Sequence, residues 1–421
     1  MGRGMFGAPR SLLAASWLVL PLALLAGPAG ADGTPAQVAP PAPAPLPPPP
    51  PPLAPVAAPT KGPTYTVNGY VETAYTYSLE RPSNGIIDYR AFDNRHNTFT
   101  LQNAVIDASG SVAGLSARVA LQVGSTPNTY YGAEPNLPGS AGTPSSTPEY
   151  WRYIQQAYAG YKADVARGLT LEAGIFLSPI GPESLAAKDS WNYSRSNLFF
   201  ALPFYHTGAR ATLELTERTT MAFWVVNGWN SVVDNNAGKS IISTISYKIP
   251  DRLTLNLLYM GGQERPTGAP EGQPNRHLVD GYAEVDVGSV ASFLAEVDGG
   301  LEQNNFGLSS WAAGAIYARV HPASWLYLAA RGDYLEEHRG SGPTGTASAI
   351  FFPASWVGSG TFTIDGRPHD NVSLRLEYRH DQAASDIYFK GTVQGAGTTA
   401  SPYVPNAVAQ NTITAAALAW F

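Results

Sequence analysis

The sequence predicts an all-β chain: an antiparallel transmembrane β-barrel of about sixteen strands, within roughly 14–18, preceded by a signal peptide and a Pro-rich spacer. Three observations point there. Charged residues make up only 14 % of the chain, against roughly 25 % in ordinary soluble domains. The mean hydropathy nevertheless lies slightly below zero, which excludes many helical spans. From Thr64 onward apolar and polar residues alternate with period two, and such strands put every second side chain toward lipid.

Residues 1–31 read as a signal peptide. Arg3 and Arg10 form its basic region, Leu12 to Leu25 its apolar run, and Ala29-Gly30-Ala31 a small-x-small cleavage site. The run is too short to span a membrane with margin, which argues against a retained anchor. Residues 32–63 are a Pro/Ala-rich spacer, with six consecutive prolines at Pro47 to Pro52. Such a stretch makes no helix or ladder hydrogen bonds and extends by about 3.1 Å per residue as polyproline II. A ligand for a periplasmic or cell-wall partner is the functional alternative to a plain spacer. The chain contains no cysteine, so a lipoprotein anchor, a thiolate zinc site and disulfides are excluded. Its net charge of -6 gives no hint of nucleic-acid binding.

Residues 64–421 form the expected barrel. Leu115, Ala117, Val119, Leu121 and Val123 alternate with Ser116, Arg118 and Gln122. Leu169, Leu171, Ala173 and Ile175 oppose Thr170 and Glu172, and Val372, Leu374, Leu376 and Tyr378 oppose Ser373, Arg375, Glu377 and Arg379. A soluble sandwich shows the same dyad; the connections discriminate. Strands are expected near 64–79, 97–110, 114–124, 151–163, 168–178, 207–217, 219–228, 238–250, 252–261, 276–288, 290–302, 308–321, 323–336, 356–365, 370–381 and 411–421. The links between them alternate strictly between short turns such as Thr216–Thr219 and long Gly/Pro/Ser/Asn-rich loops such as Asp381 to Gln410. Membrane barrels have short periplasmic turns and longer outer loops. Tyr65, Tyr75, Tyr77, Trp151, Tyr153, Trp224, Tyr259, Tyr282, Trp325, Tyr327 and Trp420 lie mostly toward the expected strand ends, where aromatic belts form; cross-strand aromatic pairs in a soluble sheet account less well for that position. The final strand ends at Phe421, as many barrels read by assembly machinery do, although Ala417 and Ala419 dilute that signal.

A wall of this strand number leaves an aqueous channel, so passive diffusion of small hydrophilic solutes or ions is the default function. Selectivity should come from lumen charges. By alternation the inward basic candidates are Arg118, Arg210, Arg319, Arg331, Arg375 and Arg379. The inward acidic ones are Glu72, Glu172, Glu214, Asp280, Glu284, Asp286, Glu296, Asp298, Asp333 and Glu377. Acids crowd onto 276–302 and bases onto 319–331 and 375–379, so either a transverse field or cross-strand pairing is expected. The connection Ser178 to His206 is too polar for a core element and long enough to be functional. It is expected to fold inward and narrow the pore with Glu183, Lys188, Asp189, Asn192, Tyr193 and Arg195, with an outward surface loop as the alternative. A short helix near Glu183 to Lys188 is compatible with its composition.

Val67-Asn68-Gly69-Tyr70-Val71-Glu72, Phe92-Asp93-Asn94-Arg95-His96-Asn97, Leu101-Gln102-Asn103-Ala104, Asn192-Tyr193-Ser194-Arg195-Ser196 and Pro203-Phe204-Tyr205-His206-Thr207-Gly208-Ala209-Arg210 occur in order along the chain. In these patches the sequence resembles the OmpL-like β-barrel porins (the porin-2 group) of Gram-negative bacteria. The resemblance implies an outer-membrane porin and no catalytic residues. His96, His206, His277, His321, His338, His369 and His380 show no paired spacing on a strand face, and no phosphate loop opens a helix. No enzyme activity, metal or cofactor is therefore expected. The expected partners are outer-membrane lipid, small hydrophilic solutes, the barrel-assembly machinery through Phe421, and further copies of the chain by analogy with porins of this size. A channel specific for an anion or sugar is the alternative, with a barrel enzyme or adhesin behind it.

Overall fold

The computed structural model describes residues 62–132, 134 and 148–421. The expected signal peptide and almost all of the spacer lie outside the described residues. Sixteen strands close into one barrel: β1 Thr64–Ser78, β2 Thr98–Val112, β3 Leu115–Val123, β4 Ile154–Ala163, β5 Leu169–Leu177, β6 Tyr205–Glu214, β7 Thr219–Val226 and β8 Ser240–Ile249 form the first half. The second half is β9 Leu253–Gln263, β10 Asn275–Val287, β11 Ala291–Asn304, β12 Gly307–Ala323, β13 Leu326–His338, β14 Trp356–His369, β15 Val372–Ala383 and β16 Ala409–Trp420. Every neighbour pair is antiparallel and sequential. The wall closes where β1 meets β16, from Tyr70 opposite Trp420 to Ser78 opposite Thr412. Closure leaves no unpaired sheet edge, the condition for crossing a bilayer with strands.

Burial is inverted relative to a soluble sandwich. Ile316, Val297 and Phe99 point outward with 69 %, 66 % and 85 % of their surface exposed, whereas the inward Glu377 and Arg379 are 2 % and 1 % exposed. An apolar exterior around a polar interior is stable only when the exterior faces lipid. The aromatic belt is correspondingly thinner than the sequence led one to expect. Tyr65 and Tyr153 are on the outer face, but Trp224, Tyr282, Tyr327 and Trp420 share the inward parity of Arg210, Asp280, Arg331 and Leu418.

The short turns gather at the end that carries both termini of the barrel. At the β2–β3 turn, Ala113 and Gly114 both hold positive φ, 55° and 81°, as a two-residue type I′ hairpin requires. The opposite end carries the long loops. One link departs from strict alternation, because β11 and β12 extend further than their patterns suggested and are joined by Asn305-Phe306 alone. Among the described residues, three short helices absent from the sequence reading occur in those loops, Thr126–Gly132, Pro148–Trp151 and Asn197–Ala201. The 183–188 stretch is non-helical, with only a 3-10 turn at Ala187–Asp189.

Candidate lumen site

The link between β5 and β6 lies inside the barrel at mid-height, fastened to inward side chains of five strands. Carboxylates hold its amides. The Ala187 N–H donates to Glu72 on β1 (2.5 Å), and the Tyr193 and Ser194 N–H groups donate to the two oxygens of Glu377 on β15 (2.6 and 2.9 Å). Asp280 on β10 accepts from the Gly181 N–H (3.2 Å), and Asp333 on β13 accepts from the Asn197 side chain (2.8 Å). Guanidinium groups hold its carbonyls. Arg375 donates to Ala187 and Asn192 carbonyls (2.9 and 3.1 Å), Arg331 to that of Ser194 (2.6 Å), and Arg379 to that of Arg195. On β14, Thr363 accepts from the Asn192 amide (2.8 Å).

A loop lying in a lumen cannot join a ladder, so each of its backbone groups needs another partner. The wall charges supply them. Charge-assisted hydrogen bonds are about twice as strong as neutral ones, which suits them to fastening an irregular segment. Among the loop residues singled out from sequence, Glu183 pairs with Arg331 at 2.8 Å and Tyr193 is buried. Arg195 turns back on the loop and donates to the carbonyls of Ser184 (3.1 Å), Leu185 and Tyr193 (2.6 Å). Only Lys188 and Asp189, bonded to each other at 2.8 Å, face open space.

The wall candidates divide into two groups by height. At mid-height, Glu72, Asp280, Arg331, Asp333, Arg375, Glu377 and Arg379 are taken up by the loop. Also there, Glu296 accepts from Tyr317 (3.1 Å) and Asp298 from Trp311 (2.7 Å). Toward the short-turn end the lumen is open and its charges pair across strands. Arg118 binds Asp107 (Nε to Oδ1 2.9 Å), Arg210 binds Glu172 (2.6 Å) and Glu214 accepts from Lys162 (2.9 Å). Arg210 also lies over the rings of Phe176, Trp224 and Tyr158, 4.3–5.0 Å from their centroids. Asp286 accepts from Ser292 at 2.6 Å, Glu284 lies beside it, and Arg319 stacks on Trp191 of the loop at 4.6 Å.

At mid-height, loop fastening and ion pairs take up the arginines of the wall, while Asp280, Glu296 and Asp298 accept hydrogen bonds from neutral donors only. Sequence reasoning passed over Asp107, Asp365 and Asp381, the partners of Arg118, Arg375 and Arg379. The same alternation that picked out the arginines contains them. Among the described residues no group of three or more His, Asp or Glu side chains is arranged to hold a metal ion.

Comparison with solved structures shows the same architecture at low identity. An anion-selective porin from Comamonas acidovorans aligns at a TM-score of 0.54 and 12 % identity, covering 86 % of this chain and 100 % of its own. The outer membrane channel DcaP of Acinetobacter baumannii aligns at 0.54 and 12 %, covering 86 % and 99 %. OmpT, an outer membrane protein of Vibrio cholerae, aligns at 0.53 and 11 %, covering 87 % and 100 %. No curated protein matches the chain. Residues 64–421, the whole barrel, match the family described as "Putative beta-barrel porin-2, OmpL-like", and the chain belongs to that family of outer-membrane porins.

Proposed function

We propose that this porin passes small hydrophilic solutes passively along the β1–β5 side of its lumen, past the edge of the β5–β6 loop at Lys188 and Asp189. The observation that carries this reading is the contrast between the two halves of the wall. The loop is bonded to the β10 and β13–β15 side and to Glu72, whereas the inner faces of β1–β5 toward the short-turn end stay solvated. Thr64, Thr66 and Asn68 are exposed there, and Asp107, Arg118 and Tyr158 are half-buried. In this reading the short-turn end faces the periplasm, the signal peptide delivers the chain for export, and the residues at 182–201 set the constriction. Association into a homo-oligomer fits the same reading; one OmpT structure is described as a trimer form.

Reconstitution into planar lipid bilayers tests it. The full chain should give ohmic single-channel steps, and a chain lacking 182–201 should give larger steps. Equal conductance of the two chains would remove the loop from the constriction, and absence of steps from the folded full chain would overturn the porin reading itself.

A further inference from the structure

Two recesses adjoin on the β1–β5 face. The one nearer the short turns measures about 470 Å³ and the one nearer the loop about 400 Å³; Asn68, Asp107 and Arg118 line both. Each is within the size range of small-solute sites, roughly 300–1,000 Å³. Both are lined by hydrogen-bonding side chains without an unpaired cation. Hydroxyls come from Thr64, Thr66, Ser109 and Ser116 in the first, and amides from Gln155 and Gln156 in the second. Every cation that borders them already has a carboxylate: Arg118 has Asp107, Lys188 has Asp189, and Arg210, behind Glu172, has Glu172.

That composition discriminates among solutes. A preference for anions or cations needs unpaired charge facing the path, and these pairs present short dipoles instead. An apolar solute would have to strip water from hydroxyls and ion pairs without replacing their hydrogen bonds, at a cost. A solute carrying many hydroxyl groups replaces them, because each hydroxyl both donates and accepts. Carboxylate and guanidinium halves of one pair then serve neighbouring hydroxyls. Tyr158, whose hydroxyl accepts from Arg118 at 3.4 Å, adds ring surface to the first recess, and Tyr70, Leu177, Ala186, Trp420 and Phe421 give the second an apolar flank beside its polar groups.

We propose that the recesses form a binding track for neutral polyhydroxylated solutes of the mono- and disaccharide class, with Asp107, Arg118 and Glu172 as its principal hydrogen-bonding groups. This rests on the passive-porin reading and assigns that passage its solute class.

The test uses the full chain in planar bilayers, with maltose and glucose as probes and polyethylene glycols of matched hydrodynamic radius as size controls. Maltose should reduce the open-channel current saturably and add current noise beyond the glycol of equal radius. Asp107→Asn combined with Arg118→Gln, which keeps the net charge, should weaken that block about tenfold, the value of one charge-assisted hydrogen bond. Glu172→Gln should weaken it less. Retention of the heat-modifiable folded band on gels, together with unchanged glycol exclusion, shows that a variant barrel is intact. Equal effects of sugar and glycol, or full block in the intact double variant, would overturn the track while leaving the porin reading standing. A folded chain without conductance would overturn both.

Discussion

At the scale of single residues, Glu377 does more than line a wall. Its two oxygens accept from the Tyr193 and Ser194 amides and also from the Thr363 hydroxyl (2.7 Å), all in a buried position. Replacing it with alanine leaves two buried N–H groups without acceptors, each costing about 1–3 kcal/mol. Glu377→Ala should therefore release the loop while the ladder of the wall persists. Protease cleavage between residues 183 and 196 in the folded barrel should rise by tenfold or more, in line with about 1.4 kcal/mol per decade. Glu377→Gln, which keeps one acceptor, should fall between. An unaltered cleavage rate in Glu377→Ala would refute this fastening role. Glu264, just beyond the end of β9, behaves differently. It accepts from the Trp229 N–H (2.8 Å) and the Ser240 hydroxyl (2.6 Å), and loss of surrounding water pushes its carboxyl up to about 7. For an acid raised in the folded state, the stabilisation is present below the ordinary carboxylate range and is lost as pH rises through about 7. Amide-exchange protection at Trp229 should decline across that window, and Glu264→Gln should remove the decline. A pH-independent protection factor in the wild-type chain would refute it.

Elements differ in how far local sequence determines them. A strand that faces lipid on one side and a polar lumen on the other writes its own period, and Leu374, Leu376 and Tyr378 against Arg375, Glu377 and Arg379 made β15 legible to within two residues. Link lengths set the order and the antiparallel pairing for the same local reason. The β5–β6 loop is another matter. Its polarity and length marked it as unusual, but its fastening runs through pairs such as Glu72 with Ala187 and Arg375 with Asn192, more than a hundred residues apart. No spacing rule encodes those. Arg195 could be seen as a charge on the loop, yet its closing of the loop on Ser184, Leu185 and Tyr193 carbonyls depends on a fold that the residue pattern leaves unstated. The short helix Asn197–Ala201 was hidden for a related reason. Five residues are too few to show a helical period, and Ser196 caps it by accepting from the Phe199 N–H at 3.0 Å. The extension of β11 to Asn304 and β12 from Gly307 was missed because Gly307 and the polar run Glu302 to Asn305 read as loop.

For the molecule as a whole, the arrangement of charge sets what the membrane experiences electrically. A chain with net charge -6 would make a cation channel if its acids lined the passage unpaired. Along the β1–β5 path they are paired, and pairs of opposite sign within about 3 Å cancel over distances well inside the Debye length, about 10 Å at 0.1 M salt. The wild-type channel should therefore separate potassium from chloride weakly, with a permeability ratio within about threefold, or less than 1 kcal/mol of discrimination. Breaking one pair from either side gives opposite signs. Asp107→Asn leaves the Arg118 guanidinium alone and should move the zero-current potential toward chloride, while Arg118→Gln leaves Asp107 and should move it toward potassium. Asp107→Asn with Arg118→Gln should return it near the wild-type value, because the two changes act on one pair and are not additive. These shifts should shrink as salt is raised from 0.1 to 1 M, where the screening length falls to about 3 Å. Measurement of zero-current potentials across a tenfold salt gradient decides the matter. A strongly cation-selective wild type, or single variants that shift in the same direction, would show that the ions take a route other than the β1–β5 wall.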